Sequence, residues 1–139
     1  WPTSLVAYAT RLAVNCHSCV NAASQYAGVA ALLGDQSAVT DMVRAFDERR
    51  GVVVEGLNAI DGVRCQMPGG AFYVFPNITD TGLTSQQLQR QLLEESGVAT
   101  IAGTSFGAYG EGYLRISYAN SLENIQAALQ RMRTALESI

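Results

Sequence analysis

Residues 112–118 alternate apolar and polar side chains with a period of two, and a helix start follows at Asn120/Ser121. Leu114, Ile116 and Tyr118 fall on one face, and Tyr113, Arg115 and Ser117 on the other. This is the pattern of a half-buried strand, so the rest of the chain must supply a layer that covers its apolar face. Asn120, with Glu123 three positions on, has the form of a reciprocal helix cap. Leu122, Ile125, Leu129, Met132 and Leu136 then recur at spacings of three and four, which predicts a helix with one apolar face.

The chain before this strand reads as helices first, then strands and helices intermixed. Pro2 suits the first turn of a helix, and Leu5, Val6, Tyr8, Ala9, Leu12 and Ala13 carry a helical pattern that stops near residues 15–19. Asn21 or Ser24 opens a second helix over 22–33, rich in alanine and ended by Gly34. Residues 35–37 cap a long helix reaching about Asn58, with Val39, Met42, Val43, Phe46, Val53 and Leu57 as its predicted buried stripe. A strand is predicted over 63–67, a turn at Pro68-Gly69-Gly70 and a return strand over 71–75, giving an antiparallel pair. Residues 76–83 form a loop. Thr84 and Gln87 make a capping box for a helix over 85–96, which Gly97 ends. A strand over 98–102 and a glycine-rich loop over 103–112 lead back to the Arg115 strand. The expected class is α/β in the broad sense: an α+β domain whose small mixed or antiparallel sheet is packed by helices.

At 139 residues the length fits one domain. Charged residues make up 15%, where about 25% is usual, and hydrophobic residues 48%. Two readings fit: a well-packed core, or apolar surface that meets another domain or subunit. Net charge is −3, and the single basic pair Arg49-Arg50 sits among acids, which argues against nucleic acid as a partner. No apolar run approaches the ~18 residues of a membrane span. The start Trp1-Pro2-Thr3 carries neither a methionine nor a signal-peptide pattern, so the chain is expected to begin inside a larger protein. Three cysteines, an odd number, suit free thiols in a cytoplasmic protein.

Arg115 is the one charged residue in the stretch 112–121. A guanidinium on a rigid strand is suited to fork onto a carboxylate and stays charged at any working pH. By residue type alone it serves equally as a structural ion-pair partner. All nine basic residues are arginines, so no lysine is present to form a Schiff base. Cys16-His17-Ser18-Cys19 falls short of the four ligands of a zinc site, since Cys65 is the only other cysteine and His17 the only histidine. It lies between helices, where a thioredoxin-like motif is not expected, and reads as a loop with two small, semi-buried thiols. The single histidine also argues against an independent Ser/His/Asp hydrolase. The loop Gly103-Thr104-Ser105-Phe106-Gly107 precedes a strand, whereas phosphate cradles lead into helices, so it reads as a pocket wall or a connection.

Four motifs occur in a familiar order: Pro68-Gly69-Gly70-Ala71-Phe72-Tyr73-Val74-Phe75-Pro76, Leu92-Leu93-Glu94-Glu95-Ser96-Gly97-Val98-Ala99, Gly103-Thr104-Ser105-Phe106-Gly107, and Tyr113-Leu114-Arg115-Ile116-Ser117-Tyr118-Ala119. Over nearly its whole length the chain resembles the C-terminal part of the class I aminotransferases, the aspartate aminotransferase-like branch of the fold-type I pyridoxal-phosphate enzymes. The resemblance implies a single C-terminal small domain over 1–139, with a catalytic large domain upstream. It implies that Arg115 pairs with the substrate α-carboxylate. Residues 15–21 match the stretch that reaches the neighbouring subunit's active site, which makes Asn15 and His17 candidates for cross-subunit contacts in a homodimer. Residues 103–107 match a Pro-Gly-x-x-Phe-Gly loop, with Ala102 in place of the usual proline.

The family's cofactor lysine, its pyridine-nitrogen aspartate and its main phosphate-binding residues lie upstream of the match. Pyridoxal 5'-phosphate is thus implied for the parent enzyme, while this chain alone is expected to bind no cofactor or metal, to contain no catalytic residue and to be inactive. The implied substrates are an amino acid and a 2-keto acid. Two alternatives remain: a related pyridoxal-phosphate lyase or synthase, and a stand-alone amino-acid-binding or regulatory module.

Overall fold

The computed structural model describes residues 2–137. The chain divides into two compact units, Trp1–Val39 and Thr40–Ile139. The first contains α1 (Val6–His17), entered through a short 3-10 turn at Thr3–Leu5, and α2 (Ala22–Leu33). Asn21 caps α2 by accepting a hydrogen bond from the Ser24 amide at 2.8 Å, so it is Asn21 that opens this helix. Large apolar side chains of this unit, among them Tyr8, Leu12, Tyr26, Leu32 and Leu33, are exposed.

The second unit holds the hydrophobic core. Helix α3 (Ser37–Asn58) supplies Val53, Val54 and Leu57, and α4 (Ser85–Ser96) supplies Leu88 and Leu92. Helix α5 (Leu122–Glu137) adds Ile125 and Met132. They pack with a three-stranded antiparallel sheet: β1 (Tyr73–Val74), β2 (Ile101–Ala102) and β3 (Leu114–Ser117), in the order β1-β3-β2. The expected small antiparallel sheet packed by helices is what the chain forms. The capping box of Thr84 and Gln87 is present at α4, and Gly97 ends that helix at φ 64°.

Three local expectations change. Residues 63–67 form no strand and meet the following segment only at one antiparallel bridge, Arg64 with Asn77. The reason is a side chain: the Asn58 amide accepts from the Cys65 N–H at 2.8 Å and donates to the Cys65 carbonyl at 2.9 Å, taking the place of a neighbouring strand. The partner of β1 is β3. The predicted stripe of α3 is buried only towards its end, for Val39, Met42 and Val43 are exposed and Phe46 is half-buried against Phe72 and Tyr118. At α5 the cap is Ser121, whose hydroxyl accepts from the Asn124 amide at 3.2 Å, rather than Asn120 with Glu123.

Candidate functional site

The register of β3 sets the site. Tyr73 lies opposite Ser117, Val74 opposite Ile116, Ile101 opposite Arg115 and Ala102 opposite Leu114. Because side chains alternate along a strand, Val74, Ala102 and Leu114 turn into the core, and Tyr73 and Arg115 share the other face. On that face the Arg115 guanidinium carbon lies 4.3 Å from the Tyr73 ring centre and 4.7 Å from that of Phe106. Each is a cation–π contact, worth about 0.5–1 kcal/mol where partly exposed. Phe75 stacks on Tyr113 at 5.2 Å with the rings 9° apart, and meets Phe106 edge-on at 6.3 Å. The guanidinium therefore stands within an aromatic patch.

Arg115 has no acidic partner among the described residues; the ion pairs there are Arg44–Asp41, Arg50–Asp47 and Arg64–Asp80. The structural ion-pair alternative thus finds no partner in this part of the chain. Nor does its side chain donate a hydrogen bond to any described residue, which leaves the planar N–H fork free to bind an external acceptor.

Phe106 is carried by the 103–113 loop, which contains two 3-10 turns, Gly103–Phe106 and Ala108–Gly110. Gly103 and Gly110 cross so closely that a Cβ on either would overlap the carbonyl of the other. Residues 103–107 also spell Gly-x-Ser-x-Gly, but they follow an edge strand into a 3-10 turn rather than making a strand-to-helix elbow. Phe106 makes this loop a wall of the Arg115 site.

The N-terminus of α4 holds the loop. The Ser85 hydroxyl, fully buried, accepts from the amides of Gly112 at 2.9 Å and Tyr113 at 3.1 Å, and donates to the Gly110 carbonyl at 3.4 Å. The Glu111 carboxylate accepts from the amides of Ser85 at 2.8 Å and Gly112 at 3.0 Å. Those hydrogen bonds hold the Glu111 carboxyl below its ordinary pKa.

Asn15 and His17 belong to the first unit, exposed on the last turn of α1, where the Asn15 side chain donates to the Arg11 carbonyl at 2.7 Å. Cys16 lies in the last turn of α1, and both it and Cys19 are exposed, where a loop with semi-buried thiols is expected; Cys65 is buried, which pushes its thiol up to about 11. Among the described residues no group of His, Cys, Asp and Glu is placed to hold a metal ion, and no helix is long and apolar enough to cross a membrane.

The family model for aminotransferase class I and II matches residues 3–132. The chain belongs to this family. It is 47% identical over 115 residues to an aspartate aminotransferase of Pyrococcus horikoshii, a match covering 81% of this chain and 29% of that protein. To aromatic-amino-acid aminotransferase 2 of Thermococcus litoralis it is 42% identical, over 81% of this chain and 29% of that one. The crystal structure of the aspartate aminotransferase from Rhizobium meliloti superposes with a TM-score of 0.85 at 34% identity, over 96% of this chain and 36% of the other. The chain spans about a third of the length of these aminotransferases.

Within this member of the aminotransferase class I and II family, the sequence singles out Arg115 but not the rings around it. Tyr73 carried half a signal: it falls in the predicted strand over 71–75, but Ala71 and Phe75 on the same face give no polar mark to single it out. The loop of Phe106 reads as a pocket wall, but nothing local aims that ring at Arg115; Ser85 and Glu111 carried no signal, because each acts through a contact distant in sequence.

Proposed function

We propose that this chain is the substrate-clamping C-terminal part of a pyridoxal-phosphate-dependent aminotransferase. That enzyme moves an amino group between an amino acid and a 2-keto acid, and Arg115 grips the substrate α-carboxylate. The observation that carries the reading is a guanidinium in contact with two aromatic rings and with no acidic partner among the described residues. With the Tyr73 and Phe106 rings against its guanidinium, Arg115 keeps N–H groups from which a carboxylate accepts two parallel hydrogen bonds. Two-point binding fixes the rotation of the substrate about its carboxylate and so orients the bonds at Cα. The aromatic neighbours displace water from around the ion pair and strengthen it.

Pyridoxal phosphate, when bound, supplies an electron sink for reactions at Cα. This chain has no lysine to carry it. The covalent anchor and the phosphate site therefore come, in this reading, from a large domain upstream. In this reading the chain alone is inactive. The same reading makes the parent a cytoplasmic homodimer in which Asn15 and His17 face the neighbouring subunit's site.

The test is Arg115→Lys in the complete enzyme. Loss of the bidentate pair is expected to lower kcat/KM about 100-fold, roughly 3 kcal/mol. An unchanged kcat/KM removes Arg115 from the site. The isolated chain with added pyridoxal phosphate should show no transamination, and detectable product would overturn its assignment as a non-catalytic part.

A further inference from the structure

At the N-terminus of α4 the capping box of Thr84 and Gln87 satisfies the amides of those two residues and leaves Ser85 to find its partners elsewhere. Ser85 buries its hydroxyl there and spends all its hydrogen bonds on the backbone of residues 110, 112 and 113. Glu111 answers from the loop, accepting from the Ser85 amide and binding Gly112 as well. One turn along α4, the Gln89 side chain accepts from the Ala102 amide at 2.6 Å. The helix thus grips the loop at both ends, and Phe106 rides between the two grips.

We propose that Glu111, with Ser85 and Gln89, positions the carboxylate clamp: the grips hold the loop so that the Phe106 ring stays against Arg115 and keeps its N–H edge pre-aimed. This rests on the reading of Arg115 as that clamp. An arginine side chain has four soft torsions, and freezing it at the moment of binding costs affinity. A ring held against the guanidinium has met part of that cost beforehand. Slackening the loop therefore weakens substrate capture while leaving turnover of the captured substrate in place. Glu111 and Gln89 are positioning residues, since neither touches the guanidinium.

The experiment uses the complete cofactor-loaded protein, 2-oxoglutarate as acceptor and the best donor among the common L-amino acids. Glu111→Ala is expected to raise the donor KM about fivefold with kcat within about twofold, while Glu111→Gln, which keeps an acceptor oxygen, stays within about twofold of wild type in both. In a Phe106→Leu background Glu111→Ala should add little, because both act through the same ring. An unchanged KM in Glu111→Ala overturns the inference, as do fully additive effects of the two substitutions. If Glu111→Ala does not fold, Gln89→Ala slackens the opposite grip and is read by the same criteria. Arg115→Gln run alongside separates the two levels. If it leaves KM unchanged, the clamp reading itself falls. If it raises KM while the grip variants do not, only the positioning role falls. A wild-type protein that turns over no donor removes both.

Discussion

The Tyr73 ring lies 4.3 Å beneath the Arg115 guanidinium carbon, on the strand that pairs with β3. Sheet pairing therefore builds this contact directly, whereas Phe106 reaches the same guanidinium from a loop. Tyr73→Leu should weaken carboxylate binding by about 1 kcal/mol, roughly fivefold in KM, and Tyr73→Phe should leave it nearly unchanged. Steady-state kinetics of the complete enzyme checks this, and equal losses in the two variants would show that the hydroxyl, not the ring, matters.

Asn58 is the side chain that substitutes for a strand. Asn58→Ala leaves the Cys65 N–H and carbonyl without partners. The expected loss is about 2 kcal/mol of folding stability. Urea denaturation reads it directly, with the m-value unchanged.

Two glycines test how firmly the backbone is packed. At Gly103 an added methyl meets the Gly110 carbonyl, a backbone group that cannot move aside without opening the loop. Gly103→Ala should cost about 2 kcal/mol or more. At Gly56 the obstacle is the end of the Leu129 side chain, which can change rotamer. There the gain in helix propensity, about 1 kcal/mol, offsets most of the strain, so Gly56→Ala should lie within about 1 kcal/mol of wild type. Thermal unfolding of both variants ranks them, and a reversed order would refute the packing argument.

Glu111 makes stability depend on pH. Its folded carboxyl titrates below the ordinary value of 4.5, because the charged form accepts two backbone hydrogen bonds. A depressed carboxyl stabilises the fold above the unfolded pKa, and that contribution is lost as pH falls through the folded one. Glu111→Gln should therefore melt below wild type at neutral pH, with the gap closing as the solution is acidified below about 4.5. Melting temperatures across that range decide the matter; a gap that stays constant would mean the hydrogen bonds, not the charge, carry the effect.

Much of the secondary structure was legible because its signals are local. Asn21 and Gly34 bracket α2 at the expected ends, and Thr84 with Gln87 opens α4, since a cap and the amide it serves lie three residues apart. The strand over 63–67 was not legible. Its β-like composition is real, but an asparagine side chain seven residues earlier took its hydrogen bonds first. The exposed first half of the α3 stripe has the same lesson. Periodicity places Val39, Met42 and Val43 on one face, yet nothing in periodicity says whether that face meets anything.

The sequence by itself determined that Arg115 stands as the one charge on the polar face of a strand, followed by an amphipathic helix, because alternation and capping are written within a few residues. Only the tertiary structure decided what surrounds it. β3 lies between β1 and β2, Phe106 is delivered by a loop pinched at Gly103 and Gly110, and α4 grips that loop through Ser85, Gln89 and Glu111. The hydrogen bonds between α4 and that loop join residues 13 to 28 positions apart in the chain, where no local pattern reaches and only the packed core brings the partners together.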